Sequence, residues 1–409
     1  MTATRGHRTL TARWVFPVAG PPLARGVVTV EGDRIAAVEP HGARTADEDL
    51  GNVAIVPGLV NAHTHLDLSG ARGLIPPTDP DHFTDWLRGV IAYRRTRTPE
   101  QVQADIRAGL AECLRFGTTL IGDIASEGAS WDAVAAAPTR AVVFWELIGL
   151  SEERFQAATE QAVFTAGLRW RVLTDSGAVP RETWRFAFSP HAPYSVNHSK
   201  ALELARRGFT AVHLAESPGE LELLATKTGP FVEFLEDLGV WNPEAITAKL
   251  TDFLVSHKND TPQPLFVHCN YLPPDAPFKP HQTVVYCPRT HGAFLHPPHP
   301  FREFLKRGVR VCLGTDSLAS NPDLDILAEA RFVHARHPDV PGEPLLKMIT
   351  LAGAEALGFA AEAGSLEVGK SADLVAVPLP DRDAADPHEL LFADHPGDRR
   401  TMFRGEWRV

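Results

Sequence analysis

A chain of 409 residues, 44% hydrophobic and 22% charged, has the make-up of an ordinary globular protein, with room for two to three average domains or one large barrel and an accessory layer. Its net charge of −11 comes with no basic run, which argues against nucleic acid and anionic membrane as partners, because both select clustered Lys and Arg. No stretch approaches the roughly 18 apolar residues of a membrane span, Met1 to Arg13 lacks the apolar core of a secretory signal, and the scattered Cys113, Cys269, Cys287 and Cys312 fit a reducing cytoplasm.

Thr11 to Phe16, Gly26 to Glu31 and Arg34 to Val38 read as short strands, with Gly32-Asp33 as the turn of a hairpin. Residues 1–56 are therefore expected to be the N-terminal part of a small β-layer. From Pro57 to residue 363 the texture changes to strands alternating with helical segments. The strands are Leu59 to Leu66, Thr118 to Ile124, Arg140 to Leu147, Phe186 to Pro190, Ala211 to Ala215, Leu265 to Asn270, Thr283 to Cys287 and Val311 to Gly314. Helices are expected between them, for example Glu100 to Phe116, Pro218 to Gly239 and Phe301 to Arg307, and Ser320-Asn321-Pro322-Asp323 reads as a helix N-cap with Pro in the first turn. Eight strands alternating with helices over roughly 300 residues is the spacing of a (β/α)8 TIM barrel. Arg72 to Thr98, with Pro76-Pro77 and Pro80, reads as a long loop and a candidate lid. Residues 364–409 return to β character at Ala372 to Val377 and Arg400 to Val409, with Asp381 to Asp398 as a surface loop. The simplest assembly pairs them with residues 1–56 in one β-sandwich.

Functional residues of such a barrel sit at the C-terminal ends of its strands. There the sequence places His63 and His65, His191, His213 and Glu216, His268, Cys287-Pro288-Arg289, and Asp316 within Gly314-Thr315-Asp316-Ser317. Residues two apart on a strand share a face, so His63 and His65 project together, about 7 Å apart at Cα. Two imidazoles so placed can hold one divalent cation, or can be barrel-mouth histidines satisfied by hydrogen bonds. The series of ligand-type residues at successive strand ends favours the cation. Taken singly, Glu216 also reads as an acid at a helix N-terminus, His268 as a core histidine, His191 as a turn residue between prolines, and Trp86 as a core tryptophan.

The motifs P-G-L-V-N-A-H-T-H (57–65), H-L-A-E (213–216), the strand-six His268, G-T-D-S (314–317) and G-S-L-E-V-G-K-S-A-D-L-V (364–375) resemble the amidohydrolase superfamily, in its deaminase and chlorohydrolase branch, along essentially the whole chain. That resemblance implies a barrel with a β-sandwich built from both termini and one divalent metal, zinc or iron, with zinc the first expectation. His63, His65, His213 and Asp316 would be the ligands, leaving a position for water, which the metal turns into hydroxide near neutral pH. Asp316 would take the water's proton, Glu216 would protonate a ring nitrogen of the substrate, and His268 would orient the hydroxide and stabilise the intermediate. Phe188-Ser189-Pro190-His191 offers no lysine for carboxylation, which fits a mononuclear site.

For the substrate pocket the resemblance points to His191 and to Trp86 as a stacking aromatic. Asp67 is similar to an acid in relatives acting on 6-amino-6-deoxyfutalosine, and Arg289, His291 and Phe294 follow as pocket residues. Tyr93-Arg94-Arg95 carries arginines where some relatives have a sugar-binding glutamate, which favours an acidic substrate group. The expected activity is release of ammonia from an aminated purine-like or other N-heteroaromatic ring, with an aminofutalosine or adenosine derivative first. The alternatives are a triazine chlorohydrolase, a cyclic amidohydrolase and a catalytically silent scaffold. A serine hydrolase would need a G-x-S-x-G elbow, which is absent. The expected partners are a small N-heteroaromatic substrate and, for assembly, a homodimer.

Overall fold

Apolar runs separated by amphipathic segments become parallel strands in the computed structural model, which describes residues 6–409 except 176–182, 207, 248, 256–263 and 281. Strands β1 (Leu59–Thr64), β2 (Thr118–Ser126), β3 (Arg140–Leu147) and β4 (Trp184–Pro190) form one parallel sheet in spatial order β4-β3-β2-β1. Strands β5 (Ala211–Leu214), β6 (Leu265–His268), β7 (Thr283–Tyr286) and β8 (Arg310–Leu313) form a second, in chain order. Isolated parallel bridges join the two sheets at both seams, Thr64 to Asp316 on one side and Phe188 to Thr210 on the other.

The strands are buried on both faces, as parallel sheets under helices are. Val60 and Ala62 of β1, Leu120 of β2, Val142 of β3, Val267 of β6 and Val285 of β7 meet in one cluster. Ala141 and Val143, on the other face of β3, pack with Ile106 and Leu110 of the helix Pro99–Arg115. Each such side chain contributes roughly 1.5–3 kcal/mol by leaving water. Gly314 follows β8, and a Cβ there would lie 2.8 Å from the His63 Cβ and 2.9 Å from its carbonyl oxygen. Only a residue without a side chain lets the two strands approach so closely beside the first histidine.

Both chain ends contribute to the remaining β-structure. Strands His7–Thr11, Val27–Glu31, Arg34–Glu39 and Glu48–Asp49 form a four-stranded sheet, in which Gly32 (φ 62°) turns the expected hairpin. A six-stranded sheet brings Leu374–Pro378 antiparallel against Val53–Pro57, the strand that leads straight into β1. Leu10, Val28 and Ile35 of the first sheet pack against Ile55, Leu374 and Met402 of the second. Arg140, at the start of β3, forms a buried ion pair with Asp373, whose Oδ1 also accepts from Ser371 Oγ and the Arg404 amide at 2.9 Å each.

Four expectations are corrected. Arg72 to Thr98 is not a loop throughout: Phe83–Arg95 forms a helix, α1, because Phe83, Trp86 and Val90 recur at helical spacing and bury one face. Pro218 to Gly239 is two helices, Pro218–Thr226 and Pro230–Asp237, broken where Lys227 turns left-handed (φ 60°) and Pro230 lacks an N–H. Asp381 to Asp398 contains a helical turn, His388–Leu391, anchored by buried Leu390 and Leu391. Ser320 to Asp323 does not cap a helix; Asp325 caps Ile326–Arg336, accepting from the Leu327 and Ala328 amides. Among the described residues no helix is long and apolar enough to cross a membrane.

Removing the cation from the Arg140–Asp373 pair leaves a buried carboxylate without its counter-charge, a loss of about 3–5 kcal/mol. Arg140→Met is therefore expected to lower unfolding stability by that amount in a denaturant titration. A loss below about 1 kcal/mol would mean that Asp373 is satisfied by its Ser371 and Arg404 hydrogen bonds.

Candidate active site

The ends of β1, β5, β6 and β8 bring five polar side chains into one buried cluster. His63 lies on β1 and His65 just beyond it, with ring centroids 4.9 Å apart. His213 lies on β5, His268 is the last residue of β6, and Asp316 follows β8. The His213 and His65 Nε2 atoms are 3.3 Å apart, and Asp316 Oδ1 lies 3.5 Å from His63 Nε2 and 3.6 Å from His65 Nε2. Donor atoms of His63, His65 and His213 lie within 4.8 Å of one another, as do those of His63, His268 and Asp316. Ala215 (φ 52°), His268 (φ 67°) and Asp316 (φ 57°) are left-handed, each at a cost of about 1 kcal/mol or more, where the chain turns away from the strands. The Asp316 amide donates to the His63 carbonyl (3.1 Å), and Ser320 Oγ donates to its carboxylate (2.8 Å).

These residues fit a divalent metal. Both ring nitrogens of His63 and Nδ1 of His65 are buried without a hydrogen-bond partner among the described residues, which is costly unless something else takes their lone pairs. His213 Nδ1 donates to the His191 carbonyl at 2.8 Å, which leaves its Nε2 lone pair facing the cluster. Burial pushes the pKa values of His65, His213 and His268 well down, reinforced for each by neighbouring imidazoles, so the rings are neutral and able to ligate. Burial alone would raise Asp316, but the adjoining His63 and His268 imidazoles and the Ser320 hydroxyl outweigh it and hold the carboxylate at about 2. Three imidazoles and a carboxylate are the donor set of a mononuclear catalytic centre.

Glu216 Oε1 lies 3.3 Å from His268 Nε2. Burial first, then the negative charges of Asp316 and Glu220, raise the Glu216 carboxyl well above the usual range, which favours its protonated form. Glu220, which the sequence did not single out, accepts from the Ala215 and Glu216 amides at 2.9 and 3.0 Å and fixes the backbone that carries Glu216. Its place in the first turn of the helix capped by Ser217 was the available signal.

A small cavity of about 50 Å³ opens beside His65, His213, Glu216, His268 and Asp316, with Trp86 in its wall. Trp86 stacks on Phe83 and meets Phe294 edge-on at 5.1 Å, so it serves the core and the cavity together. A second chamber of about 200 Å³ shares Leu87, Val90, Arg94, His191 and Tyr194 with the first and is otherwise walled largely by Ile91, Leu150, Phe234 and Leu235. His191 Nδ1 shares a hydrogen bond with Ser195 Oγ (2.8 Å), and burial, with Arg94 and His63 nearby, pulls the ring down to about 3.

Three expected pocket residues lie elsewhere. Arg289 donates from Nε to Glu329 and from Nη2 to Asp323, at 2.7 Å each, and is absent from the cavity wall, because buried Glu329 demands its charge. His291 packs between Tyr286 and His296, outside the wall, although its neighbour Phe294 reaches Trp86. Asp67 sits behind Arg94, whose Nη2 it meets at 3.0 Å. In its place the wall holds Glu146, from the end of β3, a residue missed because it stands in an otherwise apolar strand.

The family described as the amidohydrolase family matches residues 54–407, and the chain belongs to it. It is 30% identical to the 5-methylthioadenosine/S-adenosylhomocysteine deaminase of Moorella thermoacetica, over 95% of this chain and 90% of that protein. The fold is shared with a crystal structure of a Xanthomonas campestris adenosine deaminase with bound zinc (24% identity, 98% of this chain and 92% of that one, TM-score 0.78). It is shared also with the Helicobacter pylori aminofutalosine deaminase in complex with methylthio-coformycin (23% identity, 98% of this chain and 100% of that one, TM-score 0.83).

If Arg289 serves Glu329 rather than a ligand, Arg289→Met should cost about 3 kcal/mol of stability. The KM for any substrate the protein turns over should then change less than about twofold, roughly 0.4 kcal/mol. A tenfold rise in KM at unchanged stability would return Arg289 to the pocket.

Proposed function

We propose that this chain is a metal-dependent aminohydrolase that releases ammonia from adenosine derivatives, hydrolysing a carbon–nitrogen bond of the aminated ring. The observation that carries the reading is the buried Glu216, 3.3 Å from His268 and adjoining a cluster of three imidazoles and Asp316. His63, His65, His213 and Asp316 would hold one divalent ion, and zinc is supported by its presence in the Xanthomonas relative. When bound, the ion supplies Lewis acidity that makes water a nucleophile near neutral pH. Asp316, ionised over the working range, accepts the proton of that water. Glu216 would deliver its proton to the ring nitrogen beside the carbon attacked, where the charge develops, His268 would orient the attacking oxygen, and the proton taken up by Asp316 would pass to the amino group, which leaves as ammonia. The apolar second chamber, at about 200 Å³, exceeds the 150 Å³ cavity that accepts benzene, and suits a bulky apolar substituent away from the ring. An aminofutalosine-type or 5′-alkylthio nucleoside therefore leads.

The bridges at both seams support eight strands closed as a (β/α)8 barrel of residues 57–363. The shared six-stranded sheet supports one β-sandwich made of residues 1–56 and 364–409. Four free, buried cysteines support a cytoplasmic setting.

Ammonia release should be measured on a metal-quantified preparation with adenosine, methylthioadenosine, S-adenosylhomocysteine, aminofutalosine, guanine, cytosine and an aminotriazine. Turnover of a nucleoside with about one metal per chain is expected. Silence with metal bound would point to another leaving group, and silence without metal to a scaffold. His63→Ala should lose metal and activity together. Glu216→Gln should keep the metal and lose about 10²–10⁴-fold in kcat; an unchanged rate would rule out its role in proton delivery.

A further inference from the structure

The wall between the two chambers carries a charge arrangement that the family-based reading does not use. Arg94, on α1, lies between two acids, with Nη2 3.0 Å from Asp67 Oδ2 and Nη1 3.2 Å from Glu146 Oε2. Both carboxylate side chains are buried, at 6% and 3% exposure. One guanidinium between two carboxylates is more than neutralised, so it has no charge left for an anionic substrate group. Glu146 lines the cavity beside Arg94, and its second oxygen is not used by that pair. Its Oε1 makes no hydrogen bond among the described residues and lies 3.9 Å from His191 Nε2. That gap is too long for a direct hydrogen bond, but a hydroxyl between the two atoms would reach each at about 2.8 Å.

We propose that Glu146 is a substrate-binding residue, receiving the vicinal hydroxyls of a ribose at Oε1, and that Arg94 is the positioning residue that fixes its carboxylate. The proposal rests on the nucleoside reading above and narrows it to substrates whose sugar keeps both hydroxyls and bears no anion at this point. The chemistry is that of a charged acceptor meeting neutral donors, about twice as strong as a bond between neutral groups. The buried pair with Arg94 removes the freedom of the Glu146 side chain, so little entropy is lost when the sugar arrives. His191, a neutral imidazole, completes the cradle from the other side.

The test compares the metal-loaded wild type with Glu146→Gln on adenosine and on 2′,3′-dideoxyadenosine. Gln keeps the shape and leaves Arg94 paired with Asp67, so the fold is retained. On adenosine the variant should lose about 10- to 100-fold in kcat/KM, the effect of weakening hydrogen bonds to a charged group. The loss should fall mainly on KM, because the sugar is held alike in ground and transition states. On the dideoxy substrate the loss should be under about twofold, or roughly 0.4 kcal/mol, since no hydroxyl is there to be bound. Equal losses on both substrates would assign Glu146 a merely structural role and overturn the proposal while leaving the deaminase reading intact. The wild type alone gives an independent check: equal kcat/KM for the two nucleosides overturns the proposal, and a preference of at least tenfold for adenosine supports it. If only sugar-free aminated rings are turned over, the nucleoside reading fails and the proposal with it.

Discussion

The site depends on how closely β8 can lie against β1. A strand end can present a histidine to its neighbour only if the backbones nearly touch, and here Gly314 passes His63 at a distance that any Cβ would obstruct. That approach lets the Asp316 amide reach the His63 carbonyl and carries the Asp316 carboxylate beside two imidazoles from a strand some 250 residues earlier in the chain. Around the seam, Asn61 and Thr315 exchange side-chain and backbone hydrogen bonds at 2.7 and 3.1 Å, so the register cannot slip by a residue without breaking both.

Burial then sorts the protons. In a space closed to water each ionisable group adopts the state its immediate neighbours allow, and neighbours differ across a few ångströms. Asp316, ringed by imidazoles and a hydroxyl donor, is held low; Glu216, buried with other acids nearby, is pushed up. Two carboxyl groups in one site are thus shifted in opposite directions by their surroundings alone. The left-handed residues at the ends of β5, β6 and β8 are part of the same arrangement, since they turn the chain where side chains must converge.

Much of this was legible in the sequence because the informative signals were local and periodic. Apolar runs marked all eight strands, and His63, His65, His213, His268 and Asp316 were found by their position at strand ends and gathered by the structure into one cluster. The misses have a common physical origin, which is that they concern partners chosen across the chain. Arg289 stands beside a strand-end proline exactly as a ligand-binding residue would, and nothing nearby in sequence reveals that Glu329 claims it. Glu146 lies inside Val142-Val143-Phe144-Trp145-Glu146-Leu147, where burial on both faces hides which residue looks into a cavity. The helix α1 was obscured by the prolines before it, although Phe83, Trp86 and Val90 carried its period. Ser320 read as a helix cap and proved to be a hydrogen-bond donor to Asp316.

The pairing of Leu374–Pro378 with Val53–Pro57 places the strand that feeds His63 into the site in the grip of residues near the opposite terminus. The Gly58 amide donates to the Asp373 carbonyl at 2.8 Å, one residue before β1 begins. During synthesis every donor of the cluster has been joined to the chain once Asp316 is added, yet the segment that braces the first two is still to come. The order of translation and the order of assembly therefore run in different directions, and the final stretch of the chain acts as a clasp that locks a centre whose chemistry it never touches.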